Sequence, residues 1–305
     1  MKLSIGGRDI DLSNRNKLFF PESGLTKGDL VDYYRGVAGV MVPHMRYYGA
    51  SMERYPDGIQ GEGFYQKDAG DYFPGWLVTV RIPKREGGSY SAPVVDGEAA
   101  LAYLADQAVI TPHLYLSRTD DLELPDRMVY DLDPPETGGD AGAVRGAALD
   151  LKELLEELEI SPFVKTTGSR GYHLVVPLKR GPGFDTVRDF AAGAARVLVK
   201  RYPKKYTVEQ RKEKREGRVF LDTLRNSYGA TAVSPYAVRA LPGAPVATPI
   251  SWDELRRGAS PADWDISSVP GRLARKEDPW RQIRRHGISL ESRRESLHRL
   301  LQAAD

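Results

Sequence analysis

Hydrophobic residues recur at helical spacing along several stretches of the chain, and this spacing predicts amphipathic helices. The first helix begins at Thr26, which can cap it while Asp29 answers from the third helical position. Similar apolar stripes predict helices over residues 98–107, 143–158 and 185–200, and a final basic helical segment over residues 280–302.

Between these helices, runs of β-branched and aromatic residues predict strands. Such runs lie at residues 51–58, 109–118, 128–133 and 218–222, and residues 163–178 are predicted to form a strand, a tight turn and a second strand. Residues 81–91 are basic and rich in glycine, which indicates a mobile loop.

The strand at residues 128–133 carries two carboxylates and stops at a double proline. Side chains alternate along a strand, so Asp131 and Asp133 share one face, with Cα atoms roughly 6.6 Å apart. Carboxylates this close repel each other unless a cation lies between them, and Mg²⁺ or Mn²⁺ prefers such oxygen ligands. Asp222 lies in an apolar strand, where an unpaired carboxylate is costly, and a role as third metal ligand would remove that cost.

Two divalent ions about 4 Å apart are the usual device for in-line nucleotidyl transfer. The alternative for Asp131 and Asp133 is an exposed strand end with a solvated Asp-x-Asp turn.

The turn between the paired strands contains hydroxyls, glycines and an arginine: Thr167, Gly168, Ser169, Arg170 and Gly171. Exposed backbone N–H groups and an arginine could hold a triphosphate, although this composition is also that of an ordinary hairpin turn. His173 begins the next, nearly all-apolar strand and is expected to face the site. Arg225 and Arg239 could each bind an anion.

Lys17 and Lys27 flank the start of the first helix, where free N–H groups attract anions. Two solvated lysines are the equal alternative. The adjacent aromatics Phe64 and Tyr65 could stack on bases, or belong to the core. His113 lies in a strand, where a lone histidine is usually a packed or capping residue.

Composition is that of a globular protein of 305 residues with a formal net charge of +2. There are no cysteines, which excludes disulfides and thiolate metal sites and fits a cytosolic protein. No apolar run approaches the ~20 residues needed to cross a bilayer. Residues 200–218 hold nine basic and three acidic residues, and this surplus of six could attract a phosphate backbone or form a solvated helix face.

Several blocks of the chain together resemble the polymerase domain of bacterial ATP-dependent DNA ligase D and its stand-alone relatives, within the archaeo-eukaryotic primase superfamily. The resemblance runs from Asn14-x-x-Lys17 to Trp252-Asp253-Glu254-Leu255. Its most specific blocks are Asp131-Leu132-Asp133-Pro134, Gly168-x-x-Gly171-x-His173, the segment 218–226, and the segment from Gly229 to Val246.

The resemblance implies an α+β fold that joins an RRM-like catalytic sheet, antiparallel or mixed, to a smaller α/β lobe. It implies one primase-polymerase domain over residues 1–305, with no ligase or nuclease domain attached. It also assigns loop 81–91 to the alignment of two DNA ends.

The resemblance implies a role for each candidate residue. The two divalent ions, Mn²⁺ or Mg²⁺, are assigned to Asp131, Asp133 and Asp222. The incoming nucleotide is assigned to His113, Thr167, Ser169, Arg170, His173, Arg225 and Arg239. The 5′-phosphate across a DNA gap is assigned to Asn14, Lys17 and Lys27, and stacking on the template to Phe64 and Tyr65.

Four features depart from the family pattern. The turn usually continues Ser-Gly-Gly-Lys, and here it is Thr167-Gly168-Ser169-Arg170. Thr111 and Tyr115 stand where the family usually has Glu and Trp, and Leu241 stands where a second arginine commonly follows Arg239. The aromatic pair is Phe-Tyr rather than Phe-Phe.

The resulting hypothesis is a metal-dependent nucleotidyltransferase that fills gaps and extends ends in DNA double-strand break repair by non-homologous end joining. A preference for ribonucleotides is carried by resemblance alone. The implied partners are DNA ends or a gapped duplex with a 5′-phosphate, NTP or dNTP, a Ku-type end-binding protein and a separate DNA ligase. The expected location is cytoplasmic, at the nucleoid, with no membrane association.

Three alternatives stay open from the sequence. The chain could be a primase that starts chains without a primer, or a DNA-end-bridging module with residual activity. A metal-dependent nuclease would also need clustered acids, but it would not need the triphosphate turn.

Overall fold

The computed structural model describes residues 2–135 and 141–303. Its strands are β1 Lys2–Ile5, β2 Arg8–Asp11, β3 Leu18–Phe20, β4 Leu25–Thr26, β5 Ala50–Arg54, β6 Phe64–Gln66, β7 Thr79–Pro83, β8 Ser89–Pro93, β9 Val109–Tyr115, β10 Ser117–Arg118, β11 Asp121–Pro125, β12 Arg127–Asp133, β13 Phe163–Thr166, β14 Tyr172–Pro177, β15 Tyr206–Thr207, β16 Val219–Asp222, β17 Thr231–Val233 and β18 Pro249–Ile250.

The helices are α1 Lys27–Met45, α2 Glu98–Asp106, α3 Ala141–Glu157, α4 Phe184–Arg201, α5 Trp252–Arg256, α6 Ser268–Arg275 and α7 Glu291–Ala303. Short 3-10 turns lie at Pro21–Ser23, Lys212–Lys214, Leu224–Asn226 and Ile283–His286. Within the parts of the chain that the structure describes, no helix combines the length and the apolar character needed to cross a bilayer.

The chain divides into two compact units. Unit 1 comprises Met1–Asp120, Thr231–Thr248 and Asp263–Asp278, and unit 2 comprises Asp121–Ala230, Pro249–Ala262 and Pro279–Asp305. The prediction of one primase-polymerase domain over residues 1–305 stays a prediction.

Unit 1 is built on a four-stranded antiparallel sheet in the order β17-β9-β5-β6. Helix α1 begins with the predicted capping box, in which Thr26 and Asp29 each accept the backbone N–H of the other. The Tyr34 hydroxyl donates to the carbonyl of Ile110 at 2.6 Å and accepts from the N–H of Val238 at 3.0 Å. These bonds tie α1 to the sheet, and the buried residues of both form one apolar core.

Unit 2 is built on a six-stranded mixed sheet in the order β15-β16-β12-β14-β13-β18, in which only β15 and β16 pair in parallel. The helices predicted at residues 143–158 and 185–200 are α3 and α4, and their apolar stripes are buried. Strand β12 lies inside the sheet. Its alternation places Asp131 and Asp133 on one face, opposite the fully buried Met128, Tyr130 and Leu132.

The prediction of a loop over residues 81–91 is wrong, while its mobility stays a prediction. The segment belongs to the antiparallel hairpin of β7 and β8, with Ile82 opposite Tyr90. Gly87 and Gly88 adopt φ values of 96° and 78°, which let the chain reverse within a short turn. Glycine in this segment therefore marks a turn between paired strands rather than a long loop.

The final helical segment predicted over residues 280–302 is interrupted. After the 3-10 turn Ile283–His286, the N–H of Ile288 donates to the carbonyl of Pro177, and the carbonyl of Ile288 accepts from Lys179. These backbone groups pair with the end of β14, so they cannot form helical bonds. The helix proper, α7, begins only at Glu291.

Candidate active site

A row of polar side chains crosses one face of the sheet in unit 2. In register, Asp222 of β16 lies opposite Asp131 of β12, Asp131 lies opposite His173 of β14, and His173 lies opposite Lys165 of β13. Directly opposed residues in an antiparallel sheet project from the same face. Asp133 follows on this face two residues after Asp131. The fold therefore brings together three predicted aspartates and the predicted histidine, and adds a lysine.

Asp131 is the most tightly held of the three carboxylates. Its Oδ1 lies 3.2 Å from Nε2 of His173, and its Oδ2 accepts from Nε of Arg225 at 3.3 Å. Burial alone would raise the pKa of Asp131, but His173, Arg225 and Lys165 hold it below its usual range. Asp131 is therefore ionised throughout the physiological range.

His173 is a hydrogen-bond donor in this arrangement rather than a cation. Burial and the positive charge of Lys165 lower the pKa of His173 to about 4, although Asp131 acts in the opposite direction. At neutral pH the imidazole is uncharged, and its contact with Asp131 is an N–H···O hydrogen bond donated by Nε2.

The other two carboxylates carry raised pKa values. Burial, followed by the charges of Asp131 and Asp222, raises the pKa of Asp133 to about 6. Burial and the charge of Asp131 raise the pKa of Asp222, against the hydrogen bond that its Oδ1 accepts from the N–H of Leu224 at 2.7 Å. We call Asp131, Asp133 and Asp222 the acidic cluster. Its members disfavour one another's charge, and added positive charge would stabilise it.

The acidic cluster suits a hard divalent cation in its chemistry. Within residues 2–135 and 141–303, no three acidic or imidazole side chains are already placed as a metal-binding set. The oxygens of Asp131 and Asp222 instead accept the hydrogen bonds described above. The donors are nevertheless carboxylate oxygens that repel one another, which is the ligand type that Mg²⁺ and Mn²⁺ prefer. Metal binding by these aspartates stays a prediction.

The predicted triphosphate turn is closed by its own threonine. The Thr167 hydroxyl bridges to the backbone of Gly171, lying 3.0 Å from its carbonyl oxygen and 3.1 Å from its nitrogen. Gly168 has a φ of 65°, which favours glycine. Ser169 is half-buried and Arg170 is exposed. The hydroxyl of Thr167 thus shapes the turn, while Ser169 and Arg170 are the members more accessible to solvent.

Gly171 makes a close backbone approach beside the acidic cluster. A Cβ atom at this position would lie 2.1 Å from the carbonyl oxygen of Leu132 and 3.7 Å from Oδ1 of Asp133. No side chain fits at that distance, so only glycine allows β14 to start this close to the end of β12.

Two cations near the acidic cluster were missed by sequence reasoning. The guanidinium of Arg215 lies 3.9 Å from the ring centroid of Phe220, and its charge lowers the pKa of Asp133 and Asp222. In the sequence, Arg215 is one basic residue among many in the stretch 200–218. Lys165 had a better signal, because it is a cation within a short apolar strand.

Asn226 was also missed as a separate residue, and it holds the neighbourhood of Arg225 in place. It is fully buried. Its Oδ1 accepts from the N–H of Val129 at 2.8 Å, and its Nδ2 donates to the carbonyls of Val129 and Thr223 at 2.7 and 2.8 Å. The side chain thus continues the ladder along β12 where β16 does not reach.

In unit 1, the three residues predicted to bind a 5′-phosphate meet at the start of α1. The N–H of Lys27 donates to the carbonyl of Lys17 at 2.8 Å, and the N–H of Lys17 donates to the carbonyl of Asn14 at 2.9 Å. Lys17 is 37% exposed and pairs with Asp57 at 2.5 Å, whereas Lys27 is buried and pairs with Asp106 at 2.8 Å. Lys17 is therefore the more accessible cation, and Lys27 also has a structural role.

The aromatic pair of unit 1 does not belong to the core. Phe64 is 44% exposed and Tyr65 is 62% exposed. The guanidinium of Arg54 lies 5.5 Å from the centroid of the Phe64 ring, and it donates to Gln66 at 2.6 Å. Exposed rings held by neighbouring side chains are suited to stacking, and the stacking role itself stays a prediction.

His113 and Arg239 also belong to unit 1. His113 is buried on β9, with Nε2 lying 3.3 Å from Oε2 of Glu53. Arg239 is half-buried, and its backbone N–H donates to the carbonyl of Pro245 at 2.7 Å. Their predicted role at the nucleotide stays a prediction.

Comparison with known proteins identifies the family. Residues 26–280 match the model of the LigD primase-polymerase domain. The chain belongs to this family. As a LigD primase-polymerase domain, it has the predicted fold, since its structure aligns with a TM-score of 0.84 to the polymerase domain from Mycobacterium tuberculosis ligase D in complex with DNA. That alignment covers 91% of this chain and 99% of the other, at 29% sequence identity.

Curated relatives of the LigD primase-polymerase domain are longer than this chain. The multifunctional non-homologous end joining protein LigD of Pseudomonas aeruginosa is 33% identical over 274 residues, which are 89% of this chain and 32% of the relative. The LigD of Mycolicibacterium smegmatis is 32% identical over 248 residues, 81% of this chain and 32% of the relative. The bifunctional LigD of Bacillus subtilis is 28% identical over 272 residues, 89% of this chain and 43% of the relative. The chain spans about a third of the length of the first two.

Three of the residues that depart from the LigD primase-polymerase pattern lie in unit 1, and the structure shows what surrounds each of them. The Thr111 hydroxyl donates to the carbonyl of Val238 at 2.8 Å. The Tyr115 hydroxyl pairs with the hydroxyl of Tyr90. Leu241 is 36% exposed, so leucine in place of arginine at this position removes a charge from the surface and not from the buried interior.

Proposed function

We propose that the chain is a template-directed nucleotidyltransferase that fills gaps and extends ends during non-homologous end joining of DNA. The observation that carries this proposal is the acidic cluster, in register on one sheet face beside His173 and Arg225. The family supports it, because the relatives are named as end-joining proteins and the solved relative is a polymerase domain with DNA.

In this proposal the acidic cluster would hold two divalent ions, Mg²⁺ or Mn²⁺. Bound there, such ions lower the pKa of an attacking 3′-hydroxyl and neutralise charge on the triphosphate and the pyrophosphate that leaves. The raised pKa of Asp133 supports this role, because a carboxylate disfavoured by its neighbours gains the most from a cation.

The residues around the acidic cluster would bind the nucleotide. Arg225 and Arg170 supply positive charge, and Ser169 supplies a hydroxyl donor from the turn. His173, which is neutral, orients Asp131 through its Nε2–H and lies beside the expected phosphates. Thr167 contributes by closing the turn that presents them.

The residues of unit 1 would recognise the DNA and the nucleotide. Asn14, Lys17 and Lys27 form the proposed pocket for the 5′-phosphate at the far side of a gap. Phe64 and Tyr65 would stack on template bases. In addition, His113 and Arg239 would contact the triphosphate.

The finer parts of the proposal concern substrate and partners. We propose a preference for ribonucleotides, and action together with a Ku-type end-binding protein and a separate DNA ligase, in the bacterial cytoplasm at the nucleoid. These parts rest on family resemblance.

Primer extension tests the function. The substrate is a gapped duplex with a 5′-phosphate, supplied with Mn²⁺ or Mg²⁺ and with NTPs or dNTPs in parallel. Wild type should add the templated nucleotide and release pyrophosphate, while Asp131→Ala should add none and still bind DNA. Asp189→Asn, on the exposed surface of α4, is the matched control and should behave as wild type.

The outcomes separate the alternatives. Firm DNA binding without nucleotide addition under any condition would favour an end-bridging module. Addition without a primer would favour a primase, and strand cleavage without pyrophosphate release would favour a nuclease. Retained synthesis in Asp131→Ala would refute the site.

A second experiment tests the phosphate pocket. Lys17→Ala should erase the preference for a gap with a 5′-phosphate over one without, and exposed Lys2→Ala on β1 should preserve it. Lys17 is the cleaner probe, because Lys27 pairs with the buried Asp106 and its loss would disturb folding. An unchanged preference in Lys17→Ala would place the pocket elsewhere.

A further inference from the structure

A carboxylate that the proposed reaction does not use lies nearly buried on the sheet of unit 1. Glu53 of β5 stands directly opposite Thr111 of β9 on one side and Tyr65 of β6 on the other. His113 follows two residues after Thr111, so its side chain projects from the same face of the sheet. These four side chains therefore share one patch.

Glu53 is aimed at the imidazole of His113. Its Oε2 lies 3.3 Å from Nε2, and the two side chains are only 12% and 10% exposed. The ring of Tyr65 meets the imidazole edge-on, with 5.6 Å between centroids. The imidazole is therefore held by a carboxylate at one nitrogen and by an aromatic ring beside it.

The charge of Glu53 is balanced by two neighbouring side chains. Burial alone would raise the pKa of Glu53, but His113 and Arg239 hold it below its usual range. A carboxylate so far removed from water is costly unless such partners balance it. Glu53 is therefore an ionised group, and it couples the two unit 1 residues that are proposed to contact the triphosphate.

We propose that Glu53 is the positioning residue of His113. By accepting the Nε2–H, it fixes the rotation of the imidazole and the ring nitrogen that carries the proton. The inference rests on the proposed function, in which His113 contacts the nucleotide triphosphate.

The strand register provides a test that a merely structural carboxylate would fail. Because residues 53 and 111 are directly opposed, Thr111→Glu brings a carboxylate into the same patch from the neighbouring strand. Glu53→Ala should raise the nucleotide KM about 10-fold to 100-fold, the range expected for a lost hydrogen bond to a charged group. Adding Thr111→Glu to Glu53→Ala should recover most of this loss. The isosteric Glu53→Gln keeps the acceptor without the charge, and its KM should lie between those of wild type and Glu53→Ala.

A double-mutant cycle with His113→Ala shows whether Glu53 acts through the imidazole. Once His113 is absent, Glu53→Ala should raise the nucleotide KM by much less than in wild type, because only its interaction with the charge of Arg239 remains. An equal effect of Glu53→Ala in both backgrounds would overturn the proposal, and so would an unchanged KM in the single variant.

Nitrogen-15 NMR of the histidine side chains provides a readout that does not depend on activity. The chain has five histidines, and comparison with His113→Ala identifies the signal of His113. Wild type should show a protonated Nε2 for His113. Glu53→Ala should shift that signal, and Glu53→Ala combined with Thr111→Glu should return it toward wild type. An unchanged signal in Glu53→Ala would overturn the positioning role.

The two proposals fail in different ways. If wild type adds no nucleotide, the proposed function fails, and the NMR response alone decides whether Glu53 positions His113. If wild type is active and the NMR signal ignores Glu53, the proposed function stands and the inference fails.

Discussion

Asp133→Asn is predicted to stabilise the folded chain while abolishing nucleotide addition. Burial and the charges of Asp131 and Asp222 raise the pKa of Asp133 from 3.8 to about 6. A carboxyl whose pKa is raised by folding destabilises the folded state at every pH at which it is ionised. This destabilisation has its full size well above pH 6, and it disappears as the pH falls toward 3.8.

The size of the effect follows from the same values. One pKa unit corresponds to about 1.36 kcal/mol, so a rise from 3.8 to about 6 costs the folded chain at most about 3 kcal/mol at pH 8. An amide of the same size keeps part of the burial cost but carries no charge. We therefore expect Asp133→Asn to raise the free energy of unfolding by about 1–3 kcal/mol at pH 8, and by less than about 1 kcal/mol near pH 4.

The assay is urea unfolding of wild type and Asp133→Asn at pH 4, 5, 6, 7 and 8. Titrations of groups outside the acidic cluster cancel in the difference between the two proteins, and the relief of Asp222 is part of the expected effect. Asp189→Asn, whose side chain is 77% exposed, should show no difference that varies with pH. Added Mn²⁺ at 100 times its Kd should stabilise wild type by about 2.7 kcal/mol and the Asp133 variant by less.

Two results would refute this reasoning. A variant no more stable than wild type at pH 8 would mean that the acidic cluster does not strain the fold. A gain that is the same at pH 4 and pH 8 would mean that the gain comes from packing rather than from charge.

Three further substitutions probe the framework of the site. Gly171→Ala should destabilise the protein by more than about 2 kcal/mol in thermal unfolding, because its Cβ would clash with the carbonyl of Leu132. An unchanged melting temperature would contradict the close approach of the two strands. Asn226→Ala should lower the free energy of unfolding by about 2–4 kcal/mol, since it leaves buried backbone groups of β12 without partners. Asn226→Asp, which loses the Nδ2 donor, should also be less stable than wild type. Wild-type stability in both variants would argue against the role of Asn226 in continuing the ladder. Lys27→Met should cost about 3–5 kcal/mol, because the buried carboxylate of Asp106 loses its cationic partner and keeps the hydrogen bonds from Ser13. A loss of DNA recognition without a loss of stability would show that this ion pair is not structural.

Local patterns in the sequence were enough to predict many of the helices and strands in each unit. The capping box at Thr26 and Asp29 and the apolar stripes of α3 and α4 depend on contacts within a few residues, and the structure has them as predicted. The pairing of Asp131 and Asp133 on one face also follows from strand alternation alone.

Errors arose where pairing with another strand decided the local conformation. Residues 81–91 have the composition of a loop, yet their backbone groups pair across a hairpin. Residues 280–302 have a helical composition, yet Ile288 pairs with the end of β14 and interrupts the helix. In the hairpin, the partner strand lies within the same segment but is hidden by the loop-like composition, whereas the partner of Ile288 lies more than 100 residues away in the chain.

The neighbours of each candidate side chain were decided by tertiary structure. Strand register places His173 and Lys165 beside Asp131, and it places Glu53 beside His113, although these residues are far apart in the chain. The raised pKa of Asp133 follows from this arrangement, since burial and nearby charges act through space. The sequence by itself determined which residues carry the chemistry and which face of a strand they share. Only the fold decided which charges meet, because register and burial are properties of paired strands and not of one strand alone.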